Sequence, residues 1–151
     1  MEILRFDPTH LRGITPREPD PPGLNLPCAA IRAGFFAQHG PAYTLTAHGR
    51  VIACGGVALL RDRVGEAWVI TTAEVDRYPF LFHKTVKRGL AIIMEEFGLR
   101  RVQAHVNREW PEARQWIERL GFSEEGLMAA IGAVGEQIAY IRYGKVEKKY
   151  E

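Results

Sequence analysis

The chain has 151 residues, 46% of them apolar and 25% charged, with a formal charge of +2. This is the size and composition of one globular domain, 1–151, rather than of a disordered or fibrous chain. So small a charge argues against nucleic-acid binding, which needs a concentrated basic face, and "KVEKKY" reads as a solvated tail.

Residues 2–6 alternate weakly and predict a first strand, stopped by Pro8. The segment "TPREPDPPG", 15–23, holds four of the nine prolines and is a loop. In 27–39, "PCAAIRAGFFAQH", Ala30, Ile31, Phe35 and Gln38 share a helical face, with Pro27 suited to the first turn and Gly40 to the stop. The period then falls to two: "AYTLTAHGRVIACGGVALL" is a hairpin about a His48-Gly49 turn, and Gly55-Gly56 marks a bulge or a close backbone approach. A third strand follows at 66–72.

The longest helix spans 80–97, with Phe82, Val86, Leu90, Ile93 and Phe97 at helical spacing and Gly98 as its stop. In "RRVQAHV", Val102, Ala104 and Val106 point inward and His105 to the opposite face, where a buried, hydrogen-bonded histidine is expected. A long helix separates this strand from 66–72, so the two are expected to be parallel neighbours. A second helix at 111–120 and two strands, "FSEEGLMAAIG" and "EQIAYIRYG", close the chain. The order is β, one or two helices, β-β-β, helix, β, helix, β-β, an α/β fold with a mixed, mostly antiparallel sheet of six or seven strands and helices on both faces.

Cys28 and Cys54 have no zinc spacing, and a domain of this size needs no disulfide, so both are expected reduced and buried. No stretch approaches the roughly 18 apolar residues of a membrane span, and "MEILRFDPTH" lacks a leader pattern. A cytoplasmic protein with no membrane contact is expected. No catalytic triad order, metal-ligand spacing or dinucleotide fingerprint is present.

The element order, with "GLRRVQAHVN" leading into "ARQWIERLGF", resembles the GNAT superfamily of acyl-CoA-dependent N-acetyltransferases over nearly the whole chain. Asn107, Ala113 and Leu120-Gly121-Phe122 match the family's pattern, with Trp110-Pro111 as an insertion. The resemblance implies acetyl-CoA as cofactor and a primary amine, of a small molecule or a peptide, as acceptor. It implies that the pantetheine arm lies between the two parallel strands and the diphosphate at the start of the long helix. Thr71, Thr72, Ala73, Arg77, His83, Lys84 and Asn107 are then the cofactor-binding candidates.

Two departures from the family stand out. The family's glycine-rich phosphate loop falls on "YPFLFH", with Leu81 and His83 in the glycine places, and no glycine lies between Gly65 and Gly89. Either Arg77, His83, Lys84, Lys87 and Arg88 compensate with charge, or this helix start is a solvated surface. The cluster "YPFLF" itself is either a plug of the cofactor groove or an association surface between two copies of the chain. As a plug, it would make Leu81→Gly cost ~2–5 kcal/mol. The family's tyrosine acid falls on Ile117, which cannot donate a proton. Trp116 beside it is turned away by ~100° and holds its N–H proton, so both read as packing residues.

Aminolysis of a thioester needs a neutral amine and hence a general base. Glu66 and Glu74, bracketing the central strand, are the candidates. Two functions stay open: an acetyl-CoA-dependent N-acetyltransferase, or a catalytically silent binding or assembly protein of the same fold, with phage proteins as a home.

Overall fold

The computed structural model describes residues 1–12, 14, 15, 17, 33–129 and 139–150. Seven strands form one sheet: β1 (Glu2–Arg5), β2 (Ala42–Ala47), β3 (Arg50–Arg61), β4 (Val64–Thr71), β5 (Arg101–Asn107), β6 (Ser123–Met128) and β7 (Tyr140–Val146). Their spatial order is β1-β2-β3-β4-β5-β7-β6. Helix α1 (Pro79–Glu96) joins β4 to β5, and α2 (Pro111–Arg119) joins β5 to β6. Every neighbouring pair is antiparallel except β4 and β5, which are parallel as the intervening helix requires.

The hairpin between β2 and β3 turns on His48 and Gly49, with φ of 51° and 74°; two left-handed residues match the twist of the flanking strands. Gly56 marks a close approach rather than a bulge. A Cβ there would run into the Pro41 carbonyl oxygen, which accepts the Val57 N–H at 3.0 Å. The register shifts fall elsewhere, between Leu45 and Thr46 and between Leu59 and Arg61. Gly98 (φ 59°) stops α1 as its place in the sequence suggests.

The alternating strands put one core on each face of the sheet. On one face Leu90 and Ile93 of α1 and Ile117 of α2 pack on Val102, Ala104 and Val106 of β5 and on Ile141 and Tyr143 of β7. The same face continues over β2 and β3, where Phe82 and Val75 cover Leu45 and Ile52. On the other face, Leu11 from a short 3-10 turn (Pro8–Leu11) and Ala33 from a helical stretch at 33–37 cover Cys54 and Ile70.

Several expectations are corrected. Phe35 is 60% exposed and Ala33 is the inward residue of its helical stretch; Phe97, one residue past the end of α1, is also exposed. A 3-10 turn, Ala73–Arg77, stands between β4 and α1 where no element was expected. Cys54 is buried and free, and burial pushes its thiol pKa up. Cys28, most of the proline-rich loop and the first half of the 27–39 helix lie outside the described residues. No described helix is long and apolar enough to cross a membrane.

Candidate functional site

The parallel pair β4–β5 is short. Val64, Gly65 and Glu66 pair with Arg101, Val102 and Gln103, and pairing stops there. Each strand continues on its outer partner, β4 along β3 to Thr71 and β5 along β7 to Asn107, so the two part like a V. Thr72 N–H donates to Ile52 C=O, and Arg108 N–H donates to Ala139 C=O, each at 3.0 Å. These bonds set the alternation along both strands: Val69 and Thr71 on one side, and His105 and Asn107 on the other, turn their main-chain groups into the gap. Two carbonyls there are engaged, that of Thr71 by Arg17 N–H (2.6 Å) and that of Asn107 by Trp110 N–H (3.1 Å).

Where the strands part, Glu66 and His105 meet. Glu66 is the last paired residue of β4, and its Oε1 lies 2.6 Å from Nδ1 of His105, two residues beyond the last pair on β5. Both side chains are largely enclosed, Glu66 at 14% and His105 at 25% exposure. They occupy the face opposite α1 and α2. Trp68, next on that face of β4, sits between Phe6 and Phe36, at centroid distances of 5.6 and 6.4 Å, and buries its indole N–H with no acceptor among the described residues. Toward β6 the same face carries Arg101 in a two-bond pair with Glu125, with Arg142 Nε 3.7 Å from Glu125 Oε1.

The remaining candidates scatter. Glu74 lies in the Ala73–Arg77 turn, 3.8 Å from Arg50 and 3.6 Å from Arg77, so both it and Arg77 belong to a surface ion network apart from Glu66. Thr71 faces the gap, whereas Thr72 directs both its N–H and its hydroxyl to Ile52 C=O. Ala73 opens the turn, exposed. Asn107 is buried, and its Oδ1 accepts the Glu109 N–H at 2.9 Å, shaping the turn into α2. Lys84 is exposed and His83 half-buried in the first turns of α1. "YPFLF" does not plug the gap as a unit: Phe80 is 89% and Leu81 46% exposed, and Phe82 alone of the five is fully buried. Trp116 stacks on Phe82, and Ile117 is in the core.

His105, expected from the sequence as a buried, hydrogen-bonded residue and not as a site residue, is hydrogen-bonded and a quarter exposed. Its alternation was visible; its meeting with Glu66 depends on the β4–β5 register, which no local pattern encodes.

An extended chain bearing amides, such as the arm of an acyl-CoA, would find hydrogen-bond partners in the inward main-chain groups of the two parted strands. Helix α1 begins at Pro79; the first-turn N–H groups of Phe80 and Leu81 have no intrahelical acceptor, and no side chain caps them. Lys84, Lys87 and Arg88 follow within the next turns. The side chains of Phe80 and Leu81 project into solvent.

No protein-family model and no curated protein matches the sequence. Solved structures do. A spermidine N-acetyltransferase SpeG chimera from Vibrio cholerae and hSSAT is 18% identical, covers 99% of this chain and 98% of its own, and superposes with a TM-score of 0.72. A point mutant of spermidine N-acetyltransferase SpeG from Vibrio cholerae, 16% identical, covers 99% and 97% at a TM-score of 0.69. An acetyltransferase (GNAT family) from Bacillus anthracis, 12% identical, covers 95% and 93% at 0.70. Likeness over the whole length, together with the parted parallel strands and the helix that follows them, shows that this chain shares the fold of these N-acetyltransferases.

Proposed function

We propose that this chain is an acetyl-CoA-dependent N-acetyltransferase that acts in the cytoplasm on a primary amine of a small molecule or peptide. The observation that carries this reading is the Glu66–His105 pair, which puts a proton acceptor beside a gap shaped for an extended thioester arm. Bound there, acetyl-CoA would supply the activated acyl group. The chain's own work is to hold the arm through the inward main-chain groups of Val69, Thr71, His105 and Asn107, and to strip a proton from the incoming amine at the Glu66–His105 pair. The aromatic wall of Phe6, Phe36 and Trp68 stands on the face from which the pair is reached and shapes the amine side. The exposed Phe80 and Leu81 leave an apolar surface suited to pairing two copies of the chain.

The silent-protein reading draws on the missing glycines and on Ile117, and no geometric feature adds to it. The test is thiol release from acetyl-CoA, followed spectrophotometrically, over a panel of primary amines that begins with spermidine. Saturable, amine-dependent release is expected with at least one acceptor class, falling 100-fold or more when Glu66 and His105 are both replaced by alanine, the scale of general-base catalysis. Release independent of every amine and of both residues would contradict the reading.

A further inference from the structure

We propose that the proton acceptor of the pair is His105, through Nε2, and that Glu66 is the residue that positions it. The inference rests on the acyltransferase reading and divides the work within its site. A carboxylate can only accept hydrogen bonds, so the 2.6 Å contact between Glu66 Oε1 and His105 Nδ1 puts the ring proton on Nδ1. The neutral imidazole then carries its lone pair on Nε2, on the side of the ring away from the carboxylate. Nε2 has no hydrogen-bond partner among the described residues, whereas Glu66 Oε1 is occupied by the ring. The carboxylate is also the more enclosed of the two. It is the inner, fixed member, and the imidazole is the outer one that an amine can reach.

The surrounding charges are few. From β7, Arg142 stands opposite His105 in register, with its Nε directed to Glu125 of β6, and Arg101 on β5 is held by the same carboxylate. From β4, Glu66 is the one anion at the ring among the described residues.

In the reaction, Nε2 accepts one proton from the amine nitrogen as that nitrogen bonds to the acyl carbon. The acyl–sulfur bond breaks with its electron pair on sulfur, and the thiolate takes a proton from water. His105 then releases its own proton to solvent, so the chain ends each turnover unchanged.

Two measurements decide between the roles. Two-bond 1H–15N spectra of the ligand-free wild-type protein read the tautomer directly; His105 is expected with its proton on Nδ1 and Nε2 bare. The pH dependence of kcat/KM is then compared for wild type, His105→Gln and Glu66→Gln. His105→Gln is expected to remove the limb that rises with pH and to lower kcat by roughly 10²–10⁴-fold, with the KM for acetyl-CoA within about threefold. Glu66→Gln, which can still accept from Nδ1–H, is expected to keep the limb, with a smaller fall in kcat. A proton on Nε2 in the wild-type protein would overturn the proposal, as would a limb that survives in His105→Gln and vanishes in Glu66→Gln. Absence of any thermal shift of the wild-type protein in millimolar acetyl-CoA would overturn the acyltransferase reading itself and this division of roles with it.

Discussion

Phe82 of α1 and Trp116 of α2 lie face to face, with ring centroids 5.3 Å apart and planes inclined by 18°. Trp116 also touches both apolar clusters on its side of the sheet, so the stack closes the seam between them. Trp116→Ala should therefore lower stability by about 2–4 kcal/mol, somewhat under the range for a fully buried tryptophan because the residue is only partly buried. Chemical denaturation with an unchanged m-value is the measurement, and a loss below about 0.5 kcal/mol, the level of an ordinary surface change, would show that the stack seals nothing.

Leu81 behaves as the opposite case. With nearly half its surface in solvent, Leu81→Ala should shift stability by no more than about 0.5 kcal/mol. The same melting experiment decides it. A loss in the range of core truncations would restore the packed plug.

Gly56 holds a place no side chain fits. A Cβ would overlap the Pro41 carbonyl oxygen and come within 2.8 Å of Ala42 Cα, and that carbonyl is fixed by its bond from Val57 N–H. Gly56→Ala should cost about 1–3 kcal/mol, as overpacking does, and slow-exchanging amides of Val57 and Leu59 should exchange faster. Unchanged exchange at Val57 would contradict the contact.

The Glu125 carboxyl is held below its ordinary pKa of 4.5 by the hydrogen bonds from Arg101, helped by the charges of Arg101 and Arg142 and opposed by partial burial. A carboxyl whose folded pKa lies below its unfolded one adds stability at pH values above the unfolded pKa and loses it as pH falls through the folded one. Wild type should thus exceed Glu125→Gln in stability near neutral pH by up to about 1 kcal/mol, the scale of a partly exposed ion pair, and the margin should close on acidification below pH 4.5. A margin that is constant or grows with acid would contradict the pairing.

The fold was legible where a period runs long enough to be read. Val102, Ala104 and Val106 alternate over a whole strand, and Phe82, Leu90 and Ile93 recur over a whole helix; both sets are buried as their phase requires. The same phase shows why "YPFLF" misleads. With Phe82 inward, Leu81 and Phe80 lie about 100° and 200° around the helix, so a run that looks like core by composition splits between core and solvent. The Ala73–Arg77 turn, five residues long, carries no period at all. For the candidate site, Glu66 could be picked out as a carboxylate at a strand end, but Glu74 had the same local credentials. What separates them is tertiary: one meets His105 where pairing stops, and the other meets Arg50 and Arg77 at the surface.

The proposed activity requires that the gap between β4 and β5 receive an acyl-CoA arm. Titration of 15N-labelled protein with acetyl-CoA, followed amide by amide, reads this at each position. Saturable shifts are expected at Val69, Thr71, His105 and Asn107, and at Phe80 and Leu81 where α1 begins, with Ile3 and Leu4 on the far edge of the sheet unmoved. Shifts confined to residues outside the gap, or none at millimolar acetyl-CoA, would contradict it.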